Sequence, residues 1–163
     1  MSLVGLIAII LIQGQATIES ESNQVSISVH AVRLLNEGHG EKQRFDRELG
    51  KVRGALAGLE YDTFEKIKII RGSISYGSES KFKIDNRYSL LITPIDKGAD
   101  GRIRVKIRLE MAAKKPGGEP TKVIGTEQRM PPGKQTKLGG ARLDKGELVV
   151  VLSLGERPHP PSR

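Results

Sequence analysis

The 163-residue chain has no cysteine and no tryptophan, and only three tyrosines, three phenylalanines and three histidines. Without cysteine there are no disulfides, thiolate metal sites, cysteine nucleophiles or lipidated cysteine anchors, so the fold must hold by packing. Length permits this, because a single domain of about this size buries roughly 68–70% of its unfolded surface. Scarce aromatics leave few of the stacking platforms that single-strand nucleic-acid binders interleave with their cations. Long apolar runs are missing as well. The most extended one, Leu3 to Ile12, falls well short of the roughly 20 residues that a transmembrane helix needs.

That run is followed by Gly14-Gln15-Ala16, with small residues where a signal peptidase would read them, and no charged residue occurs before Thr17. The pattern predicts a secretory leader over residues 1–16, although no basic residue precedes the apolar run. A single domain is then expected over 17–155, and the proline-rich ending from Glu156 to Arg163 reads as a disordered tail. The implied setting is periplasmic or extracellular. Lysine and arginine outnumber aspartate and glutamate by 27 to 19, a formal charge of +8, which favours anionic partners such as lipid head groups, acidic glycans or nucleic acid.

Hydrophobic periodicity predicts an α+β fold, mainly antiparallel β sheet or sandwich with one early amphipathic helix packed on one face. VSISVHAV sets Val25, Ile27, Val29 and Ala31 against Ser26, Ser28 and His30, the period of a half-buried strand with His30 on the polar side. From Glu41 the spacing changes: Phe45, Leu49, Val52, Leu56 and Leu59 follow at intervals of 4, 3, 4 and 3, which is a helical stripe. Gly50, Gly54 and Gly58 lie along one edge of it. Two readings of them stay open, close approach to a neighbouring element or a helix weakened from within. A strand is expected from Phe64 to Ile70 with an irregularity near Glu65, then turns at Gly72 and Gly77. Two short strands within SKFKIDNRYSLLITPI follow, joined at Asp85-Asn86. GRIRVKIRLEM, TKVIGTEQRM, KQTKLGGARL and ELVVVLSL complete the series, separated by glycine- and proline-rich turns.

Motifs that carry chemistry are lacking. His30, His39 and His159 form no H-x-H or i,i+4 pair, so no metal site is expected. GSISYGSES lacks the G-x-S-x-G elbow. Asp96 and Asp100 miss the calcium-loop spacing, and the glycine pairs of PGGEP and LGGAR lack the Lys-Ser/Thr of a phosphate loop. No cofactor and no enzymatic activity are expected. The feature that stands out is the strand GRIRVKIRLEM, with Arg102, Arg104, Lys106 and Arg108 on one parity and Ile103, Val105, Ile107 and Leu109 on the other. Neighbouring cations two residues apart sit about 6.6–6.8 Å from each other and repel in water by only about 0.6 kcal/mol. Such a row therefore serves equally as a solvated face, offset by acids such as Glu79, Glu65 or Glu127, or as a contact surface; these four residues are the expected partner-binding site.

Residues Lys122 to Leu154, with a Pro-Gly turn, Lys134-Gln135-Thr136, Leu138-Gly139-Gly140 and the strand Gly146 to Leu152, resemble the strand-turn-strand signature of bacterial secretins. The chain is also similar overall to small exported Gram-negative proteins of unassigned function. What the resemblance implies is an envelope setting; the membrane hairpins and ring-forming modules of secretins have no counterpart in the sequence, so pore formation is not implied. The expectation is thus a non-enzymatic structural or accessory protein of an envelope assembly. It would bind an envelope protein partner, itself, an anionic glycan or lipid head groups through the basic strand face or a sheet edge, with a nucleic-acid or anionic-polymer module as the alternative.

Overall fold

The computed structural model describes residues 23–38 and 42–155; the expected leader, the tail, His39 and His159 lie outside them. The described chain is mostly β. In order come β1 (Gln24–Leu35), β2 (Arg44–Phe45), a 3₁₀ stretch (Arg47–Val52) that runs into the short helix α1 (Arg53–Leu56), β3 (Thr63–Ser75), β4 (Ser80–Lys83), β5 (Tyr88–Lys97), β6 (Ile103–Met111), β7 (Thr121–Met130), β8 (Gln135–Arg142) and β9 (Glu147–Gly155). They form two sheets, in the order β2-β3-β1-β9-β8 and β4-β5-β6-β7. All pairings are antiparallel except the two-residue β2 against β3.

The second sheet is a simple antiparallel meander, whereas the first brings the two ends of the described chain together. Successive strands pair along β4 to β7, β8 pairs with β9, β1 pairs with β3, and β9 closes on β1. The chain changes sheet twice, through residues 76–79 and 131–134. At the second change Gln128 Nε2 donates to Thr136 Oγ1 at 3.0 Å, tying β7 to β8. Between the sheets lies a core filled by one parity of each strand: Val25, Ile27, Val29 and Ala31 from β1, Leu90 and Ile92 from β5, Ile103, Val105, Ile107 and Leu109 from β6, and Leu148, Val150, Leu152 and Leu154 from β9. Period-2 side-chain alternation is what delivers each set to the same face.

A second apolar cluster lies on the opposite face of the first sheet. Val32, Leu34, Phe64, Val149 and Val151 pack there with Leu49, Val52 and Leu56, while Phe45, Leu59 and Tyr61 border them. The 3–4 spacing that predicts a longer helix thus brings its apolar residues to one cluster, but only four residues are α-helical and Phe45 belongs to β2. Gly50, Gly54 and Gly58 have open space where a Cβ would sit. The close-approach reading of these glycines is therefore overturned, and the helix is short because glycine costs up to about 1 kcal/mol per site against alanine. His30, expected on a solvated side, is only 3% exposed because its face of β1 is the covered one.

Two further differences concern β3. It continues straight through Gly72, which pairs with Ile27, so no turn occurs there, and its irregularity falls at Ile67 between Lys66 and Lys68. At the β8–β9 hairpin Gly146 has φ of 77°. A Cβ at this position would lie 2.0 Å from the Leu34 carbonyl oxygen, so only glycine lets the turn close against β1.

Candidate functional site

The alternation of β6 places Ile103, Val105, Ile107 and Leu109 in the core and leaves Arg104, Lys106 and Arg108 pointing outward. Arg102 precedes the strand and reaches Asp100 in the turn, at 3.7 Å. Register decides what surrounds the outward residues. Asp96 stands opposite Arg104, and Leu91 opposite Arg108. On the other side Arg129 is opposite Arg104, Glu127 opposite Lys106, Gly125 opposite Arg108, and Lys122 opposite Glu110. Lys81 and Lys83 of β4 extend the same face past Leu91 and Ser89.

Two bulges build this face. Ile95 is the extra residue between Pro94 and Asp96 and turns Asp96 outward to Arg104. Val123 is the extra residue of β7, and it brings Lys122 to the outward side, where strict alternation from Gly125 would have hidden it. Val123 itself protrudes, 37% exposed.

Carboxylates interrupt the cationic row. Arg104 Nη2 lies 2.6 Å from Asp96 and Nη1 lies 3.6 Å from Glu127. Arg108 is 2.8 Å from Glu110 and 3.4 Å from Glu79. Lys81 is 3.9 Å from Glu110, whose side chain is only 12% exposed. Glu79 and Glu127 thus do what the sequence expects of them, whereas Glu65 pairs with Arg33 on the first sheet at 3.3 Å. Exposed pairs of this kind are worth about 0–1 kcal/mol each, so they organise the guanidiniums more than they stabilise the fold. Leu91, outward yet 5% exposed, lies between Lys81 and Arg108 in register, where their aliphatic stems can cover it.

Lys106 and Lys122 differ from Arg104 and Arg108. Among the described residues no carboxylate lies within 4.0 Å of either ammonium. Both line an open depression of about 270 Å³ with Arg108, Gly125, Thr126 and Glu127. Gly125 forms its floor, and the Lys122 side chain folds over that glycine, its Nζ 3.1 Å from where a Cβ would be. Of the expected site residues, the structure groups Lys106 and Arg108 in this depression, sets Arg104 beside it in a double ion pair, and leaves Arg102 at the turn. Gly125 is a contributor that the sequence does not point to, and Lys122, one of the strand lysines able to share a basic face, joins it through the bulge at Val123.

Other polar features have structural roles. The buried Asp62 carboxylate accepts the N–H groups of Glu37 at 2.9 Å and Gly38 at 2.8 Å and the Thr63 hydroxyl at 2.8 Å, holding the loop after β1. Tyr61 donates its hydroxyl to Glu147, which joins the segment before β3 to β9 and raises the phenol above its ordinary range, chiefly through that hydrogen bond. His30 is pushed below the usual imidazole range by burial first and by the charges of Arg71 and Lys51 next. Among the described residues no group of three or more His, Asp or Glu is placed to hold a metal ion, and no helix is long and apolar enough to cross a membrane. Comparison with protein-family models, with curated proteins and with solved structures finds no match to the chain.

Proposed function

We propose that this protein is a non-enzymatic, exported accessory component of a bacterial envelope assembly and that it holds an anionic partner through the outward face of its second sheet. The observation that carries this reading is the charge balance of that face. Lys81, Lys83, Arg104, Lys106, Arg108, Lys122 and Arg129 outnumber Glu79, Asp96, Glu110 and Glu127, and three of the lysines, Lys83, Lys106 and Lys122, make no ion pair among the described residues. Complementary charge steers association and fixes its orientation. The leader-like N-terminus and the secretin-like segment support the envelope setting.

Strand addition at a sheet edge is the weaker of the two contact modes. The long edges of β7, β8 and β3 are interrupted by bulges at Val123, Gly140 and Ile67, a device that twists an edge away from pairing. None of the outward residues named above is aromatic, which counts against a single-stranded nucleic acid as partner.

Fractionation of producing cells and sequencing of the mature N-terminus are expected to give an envelope protein that starts near Thr17. The purified protein should sediment with isolated envelopes at about 0.05 M salt and be released at about 0.5 M, because exposed charges are screened within a few ångströms at high salt. Lys106→Glu should weaken that association. An intact N-terminus in the cytoplasm, together with salt-dependent retention on nucleic acid, would replace this reading with the nucleic-acid alternative.

A further inference from the structure

Resting on that reading, we infer that the anionic partner is a phospholipid surface: one head-group phosphate is seated in the depression lined by Lys106 and Lys122, and Val123 reaches past it into the interfacial layer. Three observations converge on this. The two ammoniums have no carboxylate partner among the described residues and flank the same depression, so an arriving phosphate displaces no existing ion pair. Gly125 has no side chain, and the Lys122 stem lies in the space this frees, with Nζ 3.1 Å from where a Cβ would be; its ammonium thus lines the same depression as Lys106, and a phosphate oxygen there can approach both donors. Val123 is the one large hydrophobic side chain exposed among the described residues. It sits next to Lys122 because the same bulge that turns the lysine outward leaves the valine as the extra residue.

The face is broad enough to rest on an extended surface. Strands of nine and ten residues at 3.3–3.4 Å per residue make it about 30 Å long, and four strands about 4.8 Å apart make it about 15 Å wide. Arg108, held by Glu110 and Glu79, borders the seat without competing for it. A folded protein partner would ask for a larger apolar centre than one valine. Cations near an anionic bilayer contribute about 1 kcal/mol each, so a cluster of this size binds reversibly and in a salt-dependent way.

The test uses vesicles of phosphatidylcholine with or without about 30% phosphatidylglycerol. Sedimentation is expected only with phosphatidylglycerol. Lys106→Ala and Lys122→Ala should each lower the vesicle affinity roughly fivefold, the value of about 1 kcal/mol per cation. Lys137→Ala removes the same charge from the first sheet and should change it less than twofold. The chain contains no tryptophan, so Val123→Trp supplies a lone reporter whose emission should move to the blue on phosphatidylglycerol vesicles, while Lys137→Trp should not respond. No sedimentation, equal losses for Lys106→Ala and Lys137→Ala, or an unshifted Val123→Trp emission would overturn the inference. Salt-sensitive binding to whole envelopes without binding to these vesicles would overturn lipid docking alone and leave the proposed function standing; loss of both would remove both.

Discussion

The outer faces of the two sheets are made from strands of similar length and have opposite fates. That of the first sheet is half covered: Val32, Leu34, Phe64, Val149 and Val151 are buried beneath the 3₁₀ stretch and α1. That of the second sheet carries Arg104, Lys106 and Arg108 in solvent, among carboxylates. The central strands show the cause. In β9 the residues from Leu148 to Leu152 are all buried, as expected for a strand covered on both faces, whereas β6 alternates buried and accessible residues along its length. Stability is therefore concentrated where an apolar cap adds a second layer, and interaction potential where no cap exists.

That contrast can be broken in graded steps. The largest effect should come from Phe64→Ala, which empties the centre of the capped face, where the ring is 1% exposed and stacks on Phe45 with centroids 4.3 Å apart. A loss of about 3–5 kcal/mol is expected from urea unfolding. Gly146→Ala should follow, costing at least the roughly 1–2 kcal/mol of a left-handed non-glycine residue, because its Cβ also collides with the Leu34 backbone. Tyr61→Phe, which removes the hydroxyl donated to Glu147, should cost about 0.5–1.5 kcal/mol in the same assay.

A pH series sharpens the comparison from the side of the capped sheet. His30 titrates below the ordinary imidazole range in the folded protein, so the native state binds fewer protons than the unfolded one there. Its contribution is intact above about pH 6.5 and is lost as pH falls below that value towards the folded pKa. Between pH 7.5 and 5 the wild type should lose more stability than His30→Gln; equal slopes would show that burial beside Arg71 and Lys51 leaves the imidazole unaffected. The smallest effect belongs to the other face. Arg104→Ala should change stability by about 1 kcal/mol or less despite its two ion pairs.

Most strands could be read from their sequence patterns, and β6 and β9 behave as theirs require. The longer helix could not be read correctly, because a 3–4 spacing is met equally by a mix of β2, 3₁₀ and α turns once three glycines weaken the α-helix. The covered face of β1 was hidden for a related reason: His30 among serines looks solvated until the segment after β2 folds over that side. In the candidate site the row Arg104, Lys106 and Arg108 was legible, but its neighbours were not. Nothing local in TPID or TKVIG marks Ile95 or Val123 as the extra residue that turns Asp96 and Lys122 outward.

Local chemistry therefore determined which side chains each strand divides between oil and water, because the pleat enforces a two-residue period on any extended chain. Only the assembled sheets decided which cations meet carboxylates and which remain free. Register and bulges are chosen by pairing between segments distant in sequence, and one inserted residue exchanges the two faces of everything beyond it.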